Sequence, residues 1–555
     1  MPELRSLAAN SPSRRAHWHA LGLSEADMAK PKIAVVNSSS ELAICYAHLD
    51  GVAKVVKEAI RAAGGVPFEV RTAAPSDFIT GAAKQGSYIL AARDIVTHDI
   101  EVQVEAALLD GMVCLTSCDK TPPGHLMAAA RLNIPTILVI GGYQASGMID
   151  GQHVDLEDLW SGTIAERVGK APKFPIEQMV PQAVRGPGVC AGMATANTMH
   201  CVVEALGMCI PGSAPVRANS EKMFAKAREA GARIVAMVNE GLLPRTILTE
   251  AAFRNAAAVT LAVSGSINAI KHLQAIAVEA GSDADLFAIW DEVGRKVPVL
   301  SAVRPNGPVR IEQFEDAGGA AATMKRLAPI LDLDVQTCMN MSLGAVLEAE
   351  PVGDSDIIRP LDNPISEGPS IAILKGSLAP ESAVVKLGVR DPKRPDYFEG
   401  PARVFEDTPS AMAAIAAQDI AKGDVVILRG QGPKGGPAMG GGASLVLFAI
   451  DAAGLARDIA FITDCQLSGL CLKGLTVAEV SPEAAVGGPL ARVRDGDRIV
   501  IDIPERRIDL DVRAEELAAR PWVEGVYANE ATGYLAVYRR DVQPMAKGAV
   551  LIPTD

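Results

Sequence analysis

Residues 32–141 alternate between short apolar runs and helix-patterned stretches, and this alternation limits the fold more than any other feature of the chain. "KIAVVN" at 32–37 reads as a short buried strand. A helix over 48–63 follows, with Leu49, Val52, Val56, Ile60 and Ala63 on one face and Gly64-Gly65 as its stop. Strand 66–71, helix 93–109, strand 112–116, helix 124–132 and strand 135–141 continue the series. Such a series predicts an α/β layer with a mainly parallel sheet covered by helices on both faces. Ligands of sheets of this kind gather beyond the carboxyl ends of the strands.

The pattern changes at 351–369, where "PVGDSDIIRPLDNPISEGP" is rich in Pro, Gly, Ser and Asp and reads as a linker or long surface loop. Beyond it "SIAILKG", "AVVKLG", "DVVILRG" and "IAFITD" read as strands, and "RIVIDIPERRIDLDV" as a hairpin. The expected organisation is an α/β domain over 1–350, a linker over 351–369, and a β-barrel-like domain over 370–555. A chain of 555 residues is too long for one core, which agrees with this division. Its 49% apolar and 21% charged residues are those of an ordinary globular protein. A net charge of -13 with no Lys/Arg-rich run argues against a nucleic-acid surface. The start, "MPELRSLAANSPSRRAHWHA", has no apolar segment of a secretory signal, and no apolar run approaches the ~20 residues of a membrane span. Nine cysteines without a signal are expected to stay reduced, in a cytoplasm-like compartment.

"TSCDKTPPGH" at 116–125 places Cys118, Asp119 and Lys120 together where the strand after "MVCL" should end. A soft thiol, a hard carboxylate and an amine can share one site if it holds two different inorganic centres. Cys45 in "SSSELAICYAHLDG" and Cys190 in "GPGVCAGMATANTM" lie 73 and 72 residues from Cys118, each before an expected helix, so the three can converge on one rim of the sheet. Thiolates at three loop ends suit an iron–sulfur cluster. The plainer alternative is three small buried hydrophobes, the usual condition of a free cysteine. No C-x-x-C is present, which argues against a zinc ribbon.

Five stretches decide between these readings by resemblance: "NSSSELAICYAHLDGVAKVVKEAIRAAGG", "CDKTPPGHLMAAARLNIPTILVIGG", "AGMATANTMHCVVEALGMCIPG", "GPKGGPAM" and "VSPEAAVGGPLARVRDGDRIVIDI". In this order they resemble the dihydroxy-acid and sugar-acid dehydratases, over residues 30–515. The resemblance implies an active site between the two domains of a homodimer or homotetramer that takes a small hydroxy-acid substrate. It implies an iron–sulfur cluster on Cys45, Cys118 and Cys190, of [2Fe-2S] type with [4Fe-4S] as the alternative. It also implies Mg2+ held by Asp77, Asp119 and a carbamylated Lys120, since a carbamate offers the hard oxygens that an ammonium lacks. Ser468 of "ITDCQLSGLC" matches the family's base, which takes the C2 proton of a 2,3-dihydroxy acid as it becomes a 2-keto acid.

Four stretches depart from the family pattern. Gly441 stands where an acidic Mg2+ ligand is usual, within Gly440-Gly441-Gly442. Gln431 replaces a glutamate, Cys465 and Gln466 replace the glycine and arginine before the serine, and Gly376-Ser377 replaces "GN". Gln431, Gly441 and Gln466 are therefore candidate substrate-pocket residues. Three readings follow: a dehydratase with an altered substrate or metal site, a standard branched-chain dihydroxy-acid dehydratase, or a non-catalytic cluster-binding paralogue. His48, His125 and His200 lack metal-ligand spacing and are expected at helix starts or in packing, while Cys114, Cys201, Cys209 and Cys338 are expected in the core. Cys465 and Cys471 flank Ser468 and could reach the site, with small-residue packing the expected reading.

Overall fold

The computed structural model describes residues 3–8, 11–74, 76–80, 86–392, 394–439, 441–469, 474–522 and 531–552. Four strands, β1 (Lys32–Asn37), β2 (Val66–Arg71), β3 (Gly111–Thr116) and β4 (Thr136–Ile140), form a parallel sheet in the order β2-β1-β3-β4. Every residue of β1, β3 and β4 is buried, as unbroken apolar runs in a covered parallel sheet require. Helices α1 (Leu49–Ala62), α2 (Ser87–Ala106) and α3 (Thr121–Leu132) connect the strands. The helices α4 (Leu156–Arg167), α5 (Thr195–Ala205), α6 (Glu221–Glu240) and α7 (Asn268–Glu279) follow among others. α6 packs on α1, and α3 packs on both α2 and α7.

The helix expected at 93–109 begins earlier, at Ser87. Arg93 and Asp94 interrupt the apolar pattern, yet both are fully buried. The Arg93 guanidinium donates to the carbonyls of Gly548 at 2.9 Å and Ala549 at 2.6 Å, and Asp94 accepts from Leu551 N at 3.0 Å. The far C-terminus supplies these partners, so local periodicity could not place the charges inside.

The C-terminal part is a mixed eight-stranded sheet that nearly closes on itself. Its strands are β5 (Ile371–Leu374), β6 (Ser382–Lys386), β7 (Tyr397–Phe405), β8 (Val425–Leu428), β9 (Ala460–Thr463), β10 (Leu475–Ser481), β11 (Arg498–Asp502) and β12 (Arg507–Leu510). The order is β12-β11-β7-β8-β9-β10-β6-β5. Lys375 bridges to Arg507 across the gap between β5 and β12, with Lys375 N to Arg506 O and Ile508 N to Lys375 O both at 3.0 Å. β7 through β10 run parallel, and α8 (Gly441–Ala452) connects β8 to β9. β7 and β10 are strands that the sequence pattern did not suggest; β7 carries Gly400 and Pro401, and its residues are mostly half-exposed. The expected hairpin is β11–β12.

Alternation along the barrel strands explains why both faces are apolar. Val425, Ile427, Ala460 and Ile462 point into the barrel core, whereas Val426, Leu428 and Phe461 pack into the large core of the helical part. The stretch 351–369 has neither helix nor strand, but Ile358 is fully buried, and Arg359 N and Ile365 N bond to Leu300 O at 2.8 Å and Val299 O at 2.9 Å. No described helix is long and apolar enough to cross a membrane.

Candidate active site

The carboxyl ends of β1 and β3 and the loops after β8 and β9 open on one cavity of about 480 Å³. Cys45, Asp77, Cys118, Asp119, Cys190, Gly441 and Ser468 all line it. Lys120 stands immediately behind, fully buried.

Each side chain is delivered by a short local device. Cys45 sits in the helical turn Ile44–Ala47, and the Ser117 hydroxyl donates to its carbonyl at 2.6 Å. Cys118 leaves β3 in the left-handed region, φ 61°, which a non-glycine residue adopts only when its surroundings hold it there. Thr121 supplies that hold: its hydroxyl accepts from Ser117 N at 2.8 Å and donates back to Ser117 O. Cys190 lies in the loop before α5, where the Asn197 amide donates to the carbonyls of Cys190 and Gly192, both at 2.8 Å. Ser468 follows β9, with its backbone N–H donating to Ser444 of α8 at 3.0 Å. Gly469 beside it passes so close to α5 that a Cβ there would lie 2.8 Å from Thr195 N.

The electrostatics around Lys120 are unusual. Its Nζ has no hydrogen-bond partner, and it lies 3.8 Å from Asp77 Oδ2 and 3.7 Å from Asp119 Oδ2. Asp77 Oδ1 is likewise buried without a partner. Withdrawal from water pushes the Asp77 carboxyl well above the usual range, against the pull of Lys120. A buried cation without a hydrogen bond, facing two part-buried carboxylates, is costly unless something completes the set. Burial also pushes the Cys190 thiol up, while the Cys45–Cys118 hydrogen bond divides that pair, lowering Cys45 and raising Cys118. Metal binding is what stabilises such thiols as thiolates.

Gly441 is on the cavity wall, whereas Gln431 and Gln466 are not among the lining residues. The Gln431 amide turns to Arg429 O at 3.3 Å, and Gln466 is fully buried beside Ala438. Gly440 and Cys471 lie outside the described residues. His125 and His200 are fully buried without partners, and burial brings both down to about 3, so they are neutral packing groups. His48 hydrogen-bonds Gly141 O at 2.6 Å. Cys114, Cys201, Cys209, Cys338 and Cys465 are buried.

Two features escaped the sequence reading. Gln144 lines the cavity, nearly fully buried, with no partner for its Nε2. α4 presents Leu156, Trp160, Ile164 and Arg167 to the same cavity, a spacing that a helical stripe would have revealed. His153, Asp155 and Asp158 also bring one ligand atom each within 4.8 Å of one another, a grouping that resembles a metal-ligand set. Their oxygens are already engaged. Asp155 caps Glu157 N at 2.9 Å, accepts from His153 at 2.8 Å, and shares Arg304 with Asp158, at 3.1 Å each. Burial would push Asp155 up, but His153 and Arg304 hold it at about 2. The Arg304 carbonyl takes Met193 N–H at 2.7 Å, so this knot braces the Cys190 loop rather than offering a cation site.

Two layers share one cavity, lined by three thiols, two carboxylates and a serine with a buried lysine behind it, the side chains of a candidate enzyme site. The N-terminal dihydroxy-acid/6-phosphogluconate dehydratase family model matches residues 30–346, and the C-terminal one matches 356–549. The chain belongs to this family. It is 42% identical over 543 residues to dihydroxy-acid dehydratase 1 of Methanosarcina acetivorans, covering 97% of this chain and 98% of that one. It is 41% identical to the dihydroxy-acid dehydratase of Ignicoccus hospitalis, covering 91% of each chain. For that of Caldanaerobacter subterraneus subsp. tengcongensis the identity is 40%, covering 97% and 96%.

Proposed function

We propose that the protein is a hydro-lyase that removes water from a 2,3-dihydroxy carboxylic acid to give a 2-keto acid, with an altered substrate or metal site. The observation that carries this reading is Lys120, fully buried without a hydrogen bond between two carboxylates, behind a cavity that Ser468 lines from the other half of the chain. Carbamylation of Lys120 would exchange an orphaned ammonium for oxygens and, with Asp77 and Asp119, give Mg2+ a hard-ligand set. Cys45, Cys118 and Cys190 would hold a [2Fe-2S] cluster, or a [4Fe-4S] cluster as the alternative. Bound there, these centres supply Lewis-acid activation of the leaving hydroxyl and an anchor for the carboxylate.

The chain's own part is proton transfer and exclusion of water. Ser468, as its alkoxide, takes the proton from C2 as the C3–O bond breaks, and passes that proton to the departing hydroxide so that water leaves and the alkoxide is restored. The enol then loses its O–H proton as C3 gains one to become the keto acid. A serine alkoxide needs nearby positive charge, which the opposite wall is built to hold. Gly441 contributes no side chain to the cavity, so the site carries fewer fixed anions than a carboxylate there would give, which favours an acidic substrate. The names of the relatives favour a second reading, an unaltered dihydroxy-acid dehydratase, which we take to be the branched-chain kind. On either reading we place the enzyme in the cytoplasm as a homodimer or homotetramer.

The test is an anaerobic screen of purified protein against short branched dihydroxy acids and sugar acids, scoring 2-keto acid. Turnover of at least one of them is expected. Cys45→Ser, Cys118→Ser and Cys190→Ser should each lose bound iron, and Cys338→Ser should keep it. Iron retained in all three site variants would remove the cluster from the reading.

A further inference from the structure

The shape of the cavity specifies more than the reaction. α4 forms one wall and works as a ruler. Leu156, at its first turn, also lines a small niche with Cys190, and Arg167 stands at the far end. Eleven residues of helix separate them, about 16 Å at 1.5 Å per residue. Between them the wall offers Trp160 and Ile164, with Thr163 as the one polar group. α8 faces this wall with Gly441, which has no side chain, and Leu445 one turn on. Trp160 stacks on Phe448 of α8 at 5.5 Å and meets Phe78 edge-on at 5.8 Å, so an aromatic group ties the two halves of the chain together beside the cavity.

The polar groups are gathered where the reacting atoms would be, and the space leading away from them is apolar. Phe78 and Ile79, directly after Asp77, line the cavity and remain 41% and 63% exposed. Exposed large apolar residues at the rim of a cavity mark a surface that is covered when the site is filled.

We propose that the substrate is a 2,3-dihydroxy acid with an extended apolar substituent at C3, an alkyl chain or aryl group that runs along α4 between Trp160, Ile164, Leu445 and the Phe78–Ile79 rim. This rests on the dehydratase reading above and adds the substrate class. A polyhydroxylated chain does not suit that wall, because its hydroxyls would lose water without finding partners. Arg167 is exposed at the outer end, where a long chain emerges into solvent.

The test uses cluster-loaded protein and a series of 2,3-dihydroxy acids whose C3 substituent grows from methyl to butyl, hexyl and phenyl, with a sugar acid of matched length. The value of kcat/KM should rise about fourfold for each added methylene until the chain reaches the mouth, and the sugar acid should fall below the shortest member. The corresponding 2-keto acids should quench tryptophan fluorescence, with Kd falling by a similar factor and the signal lost in Trp160→Phe. Ile79→Asp, at an exposed position that should not disturb folding, should lower the hexyl-to-methyl ratio of kcat/KM at least tenfold. The proposal is overturned if the methyl compound is the best substrate and Ile79→Asp leaves the ratio unchanged. It is also overturned if Trp160 fluorescence changes with protein concentration and not with chain length, because a second copy then covers the apolar end. If no acid is dehydrated by protein carrying iron, the dehydratase reading fails, and keto-acid binding still judges the apolar wall separately.

Discussion

Two buried carboxylates shape the loop that brings the barrel to the site. Asp464 accepts from Gly430 N at 3.1 Å, Gln431 N at 2.9 Å and Ala484 N at 2.9 Å. Glu483 accepts from Lys434 N at 3.0 Å and Gly435 N at 3.1 Å. "GPKGGP" and "SPEAA" are therefore two halves of one staple, and Gly432 is required because a Cβ there would collide with the Glu483 carboxylate. Burial, aided by Asp464, pushes Glu483 up to about 7 from its ordinary 4.5. The sign follows from proton counts: between these values the folded state holds the proton and the unfolded state does not, so this group makes stability fall as pH rises. Glu483→Gln cannot titrate. The stability of wild type minus that of Glu483→Gln, from denaturant melts, should fall across about pH 4.5 to 7 and level off above. A difference that rises with pH across that window would contradict the assignment.

Helices and strands were readable to the extent that their residues answered to local neighbours. β1, β3 and β4, together with α1 and the β11–β12 hairpin, are regular in sequence because each buries a periodic face. The start of α2 was hidden by Arg93 and Asp94, which pair with each other and take further partners more than 450 residues away. β7 was hidden by Gly400 and Pro401, and β10 by lying between two loops of the site. Within the site, Cys45, Cys118, Cys190, Asp77, Asp119 and Ser468 could be singled out from motifs, and they line one cavity. Gln431 and Gln466 were singled out by the same motifs and do not line it, because the loop turns them elsewhere. Gln144 and the α4 stripe carry no motif, so only the fold reveals them.

The whole molecule is held as one body across the cavity by contacts that neither half could satisfy alone. Lys271 of α7 and Glu479 of β10 form an ion pair in which both side chains are fully buried. Burial lowers Lys271 to about 8 and raises Glu479, and each partner opposes the shift of the other. Removing one charge strands the other in the core. Lys271→Met should therefore cost about 3–5 kcal/mol in denaturant unfolding, while Lys271→Met with Glu479→Leu should recover most of it. A single variant as stable as wild type would mean the pair is not buried in solution.

The reading of the cavity as a dehydratase site is tested most directly by anaerobic turnover of Ser468→Ala beside wild type, with bound iron measured in the same samples. The predicted result is equal iron in both proteins and 2-keto acid formation reduced by several orders of magnitude in the variant, since only the proton acceptor has been removed. Near wild-type turnover in Ser468→Ala, or full turnover by iron-free wild type, would contradict it.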